Sequence, residues 1–133
     1  MTPREIYQRM HDHWLAGEPT FDPGLLADDV VLESPFGRAE PIAGRDAVLA
    51  YVTAGHASVP FHFVGHRTRA LHETADPDTI IVEYELTAAM NDSGATASAP
   101  FIAVLTVRDG KIACWREYQH TALIARAMTG SLT

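Results

Sequence analysis

The chain has 133 residues, 47% of them hydrophobic, and a formal charge of −7; that suffices for one core and falls short of two ordinary domains, so a single domain over 1–133 is expected. Its ten Lys and Arg are scattered, which argues against nucleic acid as a partner, because phosphate recognition needs them clustered. No run nears the roughly 18 apolar residues of a membrane span, MTPREIYQRM lacks the apolar core of a secretory signal, and a lone Cys114 allows no internal disulfide or cysteine-based zinc site; the expectation is a soluble, cytoplasmic protein with no membrane partner.

From Pro3 to Ala16, Ile6, Met10 and Trp14 recur every four residues with Tyr7 and His13 beside them, the stripe of an amphipathic helix ending at Gly17. Asp22-Pro23 reads as a cap and a first-turn proline, predicting a short helix over 24–28 that leads into a strand over 30–34. Arg45 to Ala57 places Val48, Leu49 and Val52 on one side of a third helix. Beyond Pro60 come four β-rich runs, 61–72, 79–90, 97–108 and 111–119, separated by Asp76-Pro77-Asp78, Asn91-Asp92-Ser93-Gly94 and Asp109-Gly110. Short turns of this chemistry join antiparallel neighbours, and Asp-Gly favours a two-residue hairpin. Thr121 caps a last helix over 122–128, with a frayed tail from Gly130.

Three helices before a curled antiparallel sheet is an α+β architecture in which the helices cover one face of the sheet. Alternation assigns that face. Val82, Tyr84 and Leu86 lie opposite Glu83 and Glu85, and an inward Trp115 carries Glu117 and Gln119 inward with it. On the strand before Pro35, Leu32 and Ser34 are the inward pair and Glu33 points away. The outer face then holds Cys114, Arg116 and Tyr118 with His62 and His66, and a tyrosine and a cysteine amid charges suggest a homodimer contact there.

LADDVVLESPFG before a Gly-opened helix, and VRDGKIACWREYQ as a final hairpin, resemble the nuclear-transport-factor-2-like (NTF2-like) superfamily. More narrowly they look like its SnoaL-like branch, which includes polyketide cyclases and relatives of ketosteroid isomerase. The resemblance covers nearly the whole chain. It implies a cone in which three N-terminal helices and a curved antiparallel sheet enclose a pocket, commonly dimeric through the outer sheet face. It implies little about activity, since the fold hosts isomerases, cyclases, hydratases, epoxide hydrolases and non-catalytic binding proteins. The base of the ketosteroid isomerases falls here on Ser34, their oxyanion-hole tyrosine on Met10 and their protonated aspartate near Ile102. With all three chemistries absent, that isomerase mechanism does not carry over.

Glu117 is the candidate that remains. Among Trp115, Tyr84 and the Met10/Trp14 side of the first helix, desolvation would favour its neutral form and suit it to acid or base work; the competing reading is a structural carboxylate held by Arg116, Gln119 or a backbone amide. His13 is placed near the pocket mouth as an acid/base partner, or as a surface imidazole packed on its helix. Tyr84 and Tyr51 offer hydroxyls to a ligand oxygen. Trp14, Phe36, Phe61, Phe63 and Trp115 are expected to wall an apolar ligand, with Met10, Val82 and Leu86 beside them. His62 and His66, four strand residues apart, stand roughly 13 Å from one another, too far to share a metal ion, and His11 and His13 diverge by about 200° around a helix. Neither a metal nor a cofactor is expected, and no nucleophile elbow or phosphate-binding glycine loop occurs. Two readings stay open: a cofactor-independent cyclase, isomerase or dehydratase acting on an apolar, oxygenated, polyketide-like molecule with Glu117 as proton carrier, and a non-catalytic binding or accessory protein that keeps the pocket.

Overall fold

The computed structural model describes residues 1–16 and 21–129. The helix end expected at Gly17 and the tail from Gly130 lie outside them. Helix α1 (Pro3–Leu15) starts where Thr2 and Glu5 cap each other's backbone N–H groups, with Pro3 in the first turn. It buries Ile6, Tyr7 and Met10 against the sheet.

The helix expected over 24–28 is a single 3-10 turn, Pro23–Leu25, and strand β1 (Leu26–Glu33) begins at once. Asp22 does cap the turn, accepting from the Gly24 N–H at 2.9 Å. Sheet pairing then takes over: Leu26 lies beside Ile112 and both are fully buried, and two such side chains contribute roughly 1.5–3 kcal/mol each. A two-residue strand β2 (Ile42–Ala43) pairs with β1 and leads through Gly44, at φ 97°, into α2 (Arg45–Ser58). Four long strands follow: β3 (Phe61–Glu73), β4 (Thr79–Met90), β5 (Thr96–Arg108) and β6 (Lys111–Gln119). Between the last two, Asp109 and Gly110 both have positive φ, at 53° and 74°, as the right-twisting two-residue hairpin turn demands.

Of the three helices expected ahead of the sheet, the middle one is only that 3-10 turn, and the last helix stands after β6 as expected. It is α3 (Thr121–Met128), and its cap is His120, whose Nδ1 accepts from the Leu123 N–H, rather than Thr121. The sheet order is β2-β1-β6-β5-β4-β3. All neighbours are antiparallel except β1 and β6, which run parallel, so the sheet is mixed rather than wholly antiparallel. This pairing sets Leu32 beside Trp115 and Glu33 beside Arg116. In β3, register shifts between Phe63 and Gly65 and between Thr68 and Ala70 insert extra residues, bending the strand and exchanging its faces twice. The inner face packs under α1 at one end, where Ile6, Leu26, Val82, Ala103, Leu105 and Ile112 are each 0% exposed.

Candidate functional site

At the other end the same inner face stays open, forming a cavity of about 640 Å³ bounded by α1, α2, α3, the end of β1 and strands β3 to β6. Small residues make the room: Ala88, Ala97 and Ala99 on the sheet, Ala54 and Gly55 on α2. Trp14 of α1 closes against Phe63 with ring centres 5.6 Å apart, and Phe21 meets Trp115 edge-on at 5.7 Å. Among the described residues that line it, Glu117 is the one carboxylate.

Glu117 reaches the cavity because β6 alternates without interruption from Trp115 to Gln119. Its Oε2 accepts from the Tyr84 hydroxyl and from Trp115 Nε1 at 3.2 Å; its Oε1 accepts from Gln119 Nε2 at 2.9 Å. A carboxylate has about four lone-pair positions, so with two donors on Oε2 the vacant one belongs to Oε1. Arg116 takes no part, since it points outward to Glu33 at 3.6 Å.

Tyr84 is 1% exposed and does not line the cavity, contrary to its assignment as a group that meets ligand. Its side chain lies behind the wall, the ring stacked on His66 at 5.1 Å and on Phe101 at 5.5 Å, the hydroxyl given to Glu117. Burial holds the phenol well above the usual tyrosine range, and the Glu117 charge adds to this, so Tyr84 is a neutral donor.

Met10, Trp14, Leu32, Ser34, Tyr51 and Phe61 line the cavity, as do Phe63, Leu86, Trp115 and Gln119. Others placed there by sequence lie elsewhere. Val82 has the right face but the wrong depth, being fully enclosed in the packed end. Phe36 follows the strand end and turns outward, 66% exposed, with its ring edge-on to Tyr118 at 5.4 Å. Ile102 is also outward and 41% exposed; its inward neighbours Phe101 and Ala103 are equally without acid chemistry. His13 lies outside the lining, because the helical stripe that faces the cavity is Tyr7, Met10, His11 and Trp14. Cys114 is half-buried on the outer side, where burial and the Glu33 charge push its thiol up, away from a reactive thiolate.

His66 is the principal correction: it faces inward, not outward, and lines the cavity. The bulge at Gly65 shifts β3 by one residue, pairing His66 with Leu86, whereas His62 stays outside and bonds Asn91 Oδ1 at 2.6 Å. His66 meets Trp14 at 4.7 Å between ring centres, and its Nδ1 lies 2.5 Å from Nδ1 of His11. Desolvation, with the neighbouring His11 adding to it, holds the His66 imidazole down at about 4. Both residues carried a usable signal. A glycine inside a strand marks a bulge, and His11 falls four residues after Tyr7 and three before Trp14. Among the described residues, no group of three or more His, Cys, Asp or Glu is placed to hold a metal ion, and no helix is long and apolar enough to cross a membrane.

An uncharacterised PhzA/B-like protein of Pseudomonas aeruginosa is 30% identical over 111 residues, which are 80% of this chain and 75% of that one. A Bacillus subtilis crystal structure, provisionally named an isomerase, superposes with a TM-score of 0.82 at 22% identity over 97% of this chain and 94% of its own. A Catenulispora acidiphila protein with a ketosteroid isomerase-like fold, solved with trimethylamine, gives 0.71 at 16% identity over 96% and 94%. These likenesses match the cone of helices on a curved six-stranded sheet. Residues 7–115 match the SnoaL-like domain, and the chain belongs to that family.

Proposed function

We propose that this protein is a cofactor-independent enzyme that moves a proton on an apolar, oxygenated small molecule, polyketide-like in skeleton, with Glu117 as the base. The observation that carries this reading is the vacant lone pair of Glu117 Oε1, held at the wall of a mainly apolar cavity by donors that fix the other oxygen. Tyr84 and Trp115 orient the carboxylate without consuming Oε1. Phe61, Phe63, Leu86 and Trp14 would exclude water around the carbon skeleton. A base so placed takes a proton from carbon next to a carbonyl, which starts cyclisation, isomerisation and dehydration alike.

A suitable probe is 2-tetralone, an apolar ketone whose α-proton exchange in D₂O is read by NMR. The protein should accelerate that exchange, and Glu117→Gln should remove on the order of 100-fold or more of the acceleration while binding persists by Trp115 fluorescence. An unchanged rate in the variant overturns Glu117 as the base. A second reading draws on the same geometry: three of the four acceptor positions of Glu117 are already filled from within, as in a structural carboxylate of a binding or accessory protein. Under it the wild type binds the ketone and exchanges it no faster than buffer.

A homodimer is the assembly we favour, formed by the outer sheet face where exposed Ile102 and Phe36 flank Tyr118. Sedimentation velocity should give twice the chain mass for the wild type and one chain mass for Ile102→Lys. A wild type that sediments as a single chain removes the assembly.

A further inference from the structure

Two imidazole nitrogens 2.5 Å apart cannot both present lone pairs, nor both present protons; one hydrogen lies between them. A neutral imidazole carries a single N–H. In a neutral pair, the ring that donates from Nδ1 therefore has a bare Nε2, and the ring that accepts at Nδ1 has its proton on Nε2. One geometry thus supplies an acid and a base together. Both rings line the cavity, and His66 stacks on the Tyr84 that Glu117 engages.

We propose that His11 and His66 form a two-ring proton relay that protonates and later deprotonates the oxygen of an enolisable ligand, while Glu117 serves its carbon. This rests on the carbon-acid reading above. Glu117 Oε1 takes the α-proton, the C–H pair becomes the enol double bond, and the carbonyl π pair takes the proton from His66 Nε2. The hydrogen shared with His11 moves to His66 Nδ1, and His11 Nε2 recovers a proton from solvent. The pair ends neutral with its tautomers exchanged. Return of the proton from Glu117 to the product carbon runs the same steps backward, so each enolisation and ketonisation resets the relay.

Burial supports it, because His66 at about 4 stays uncharged at neutral pH and is a donor that can be refilled rather than a fixed cation. Tyr7 from α1 and Tyr84 from β4 lie against the pair, and His56 and Tyr51 from α2 and Glu117 from β6 share its cavity. Thr68 engages the Tyr7 hydroxyl at 2.7 Å, and Glu117 engages Tyr84, so both neighbouring phenols already have partners of their own.

The test uses histidine-labelled full-length protein at pH 8 and, separately, 2-tetralone exchange. Nitrogen NMR should find His11 and His66 in opposite tautomers, with a scalar coupling between their Nδ1 nuclei. Two Nε2–H rings without coupling overturn the relay whatever the exchange assay gives. In the exchange assay, His66→Gln and His11→Gln should each lose on the order of 100-fold, and the double variant should be no slower than either alone. Exchange lost in Glu117→Gln but retained in both histidine variants overturns the relay and leaves the base; loss in the histidine variants with Glu117→Gln unaffected removes the base and leaves the relay.

Discussion

The inner face of this sheet leads two lives. At the end where β4 reads Ile80 and Val82, β5 reads Ala103 and Leu105 and β6 reads Ile112, every side chain is enclosed under α1. A few residues along the same strands, β4 offers Leu86 and Ala88, β5 Ala97 and Ala99, and β6 Trp115, Glu117 and Gln119 to an open cavity. The face is unchanged between the two ends and the alternation holds along β4 and β5, while in β6 one extra residue between Ile112 and Cys114 keeps both Ile112 and Trp115 inward. Side-chain volume differs: alanines replace branched residues while aromatic rings hold the walls apart, and stability is gathered at one end so that the other can keep space and polar groups.

That division can be broken by exchanging volumes. Leu105→Ala at the enclosed end should cost about 2–5 kcal/mol, lost transfer energy plus a cavity that α1 cannot collapse, read as a lower urea midpoint at constant slope. Ala99→Leu, which adds volume where space already exists, should stay within about 1 kcal/mol of the wild type yet abolish 2-tetralone binding. Comparable destabilisation by the two would mean that the cavity end is packed after all.

Sequence reveals face far better than depth. β4 and β6 end where turn chemistry puts them, at 79–90 and 111–119, and the parity of Trp115 alone carried Glu117 to the cavity. Val82 and Leu86 obey the same alternation, but one is core and the other wall, because depth depends on what α1 and α2 cover. Tyr84 shares their face and lies behind the wall for the same reason. In β3 alternation itself failed, since the extra residue near Gly65 exchanges the faces and brings His66 in. The parallel pairing of β1 with β6 was hidden because it joins segments remote in sequence. Short polar turns announce hairpin partners and carry no trace of such distant ones.

A finer probe of the same division is pH, because burial pushes the enclosed phenols of Tyr7 and Tyr84 up, away from the acid range, whereas it holds His66 at the cavity end down within that range. Its folded value of about 4 lies below the ordinary 6.5, so between those values the unfolded chain binds more protons than the native one. Stability therefore rises with pH across that window; it is whole above the ordinary value and is lost as pH falls toward 4. His11, Tyr7, Tyr84 and, beyond Tyr84, Glu117 surround this ring, and His56 shares its cavity. Surface carboxylates titrate alike in wild type and variant, so the comparison with His66→Gln isolates the ring. The Tm of the wild type should drop more steeply than that of His66→Gln between pH 7 and 5, the gap narrowing or reversing at the acid end. Parallel curves would mean that His66 is as well hydrated in the fold as in the open chain, and the pH sensitivity assigned to the cavity would then have to reside elsewhere.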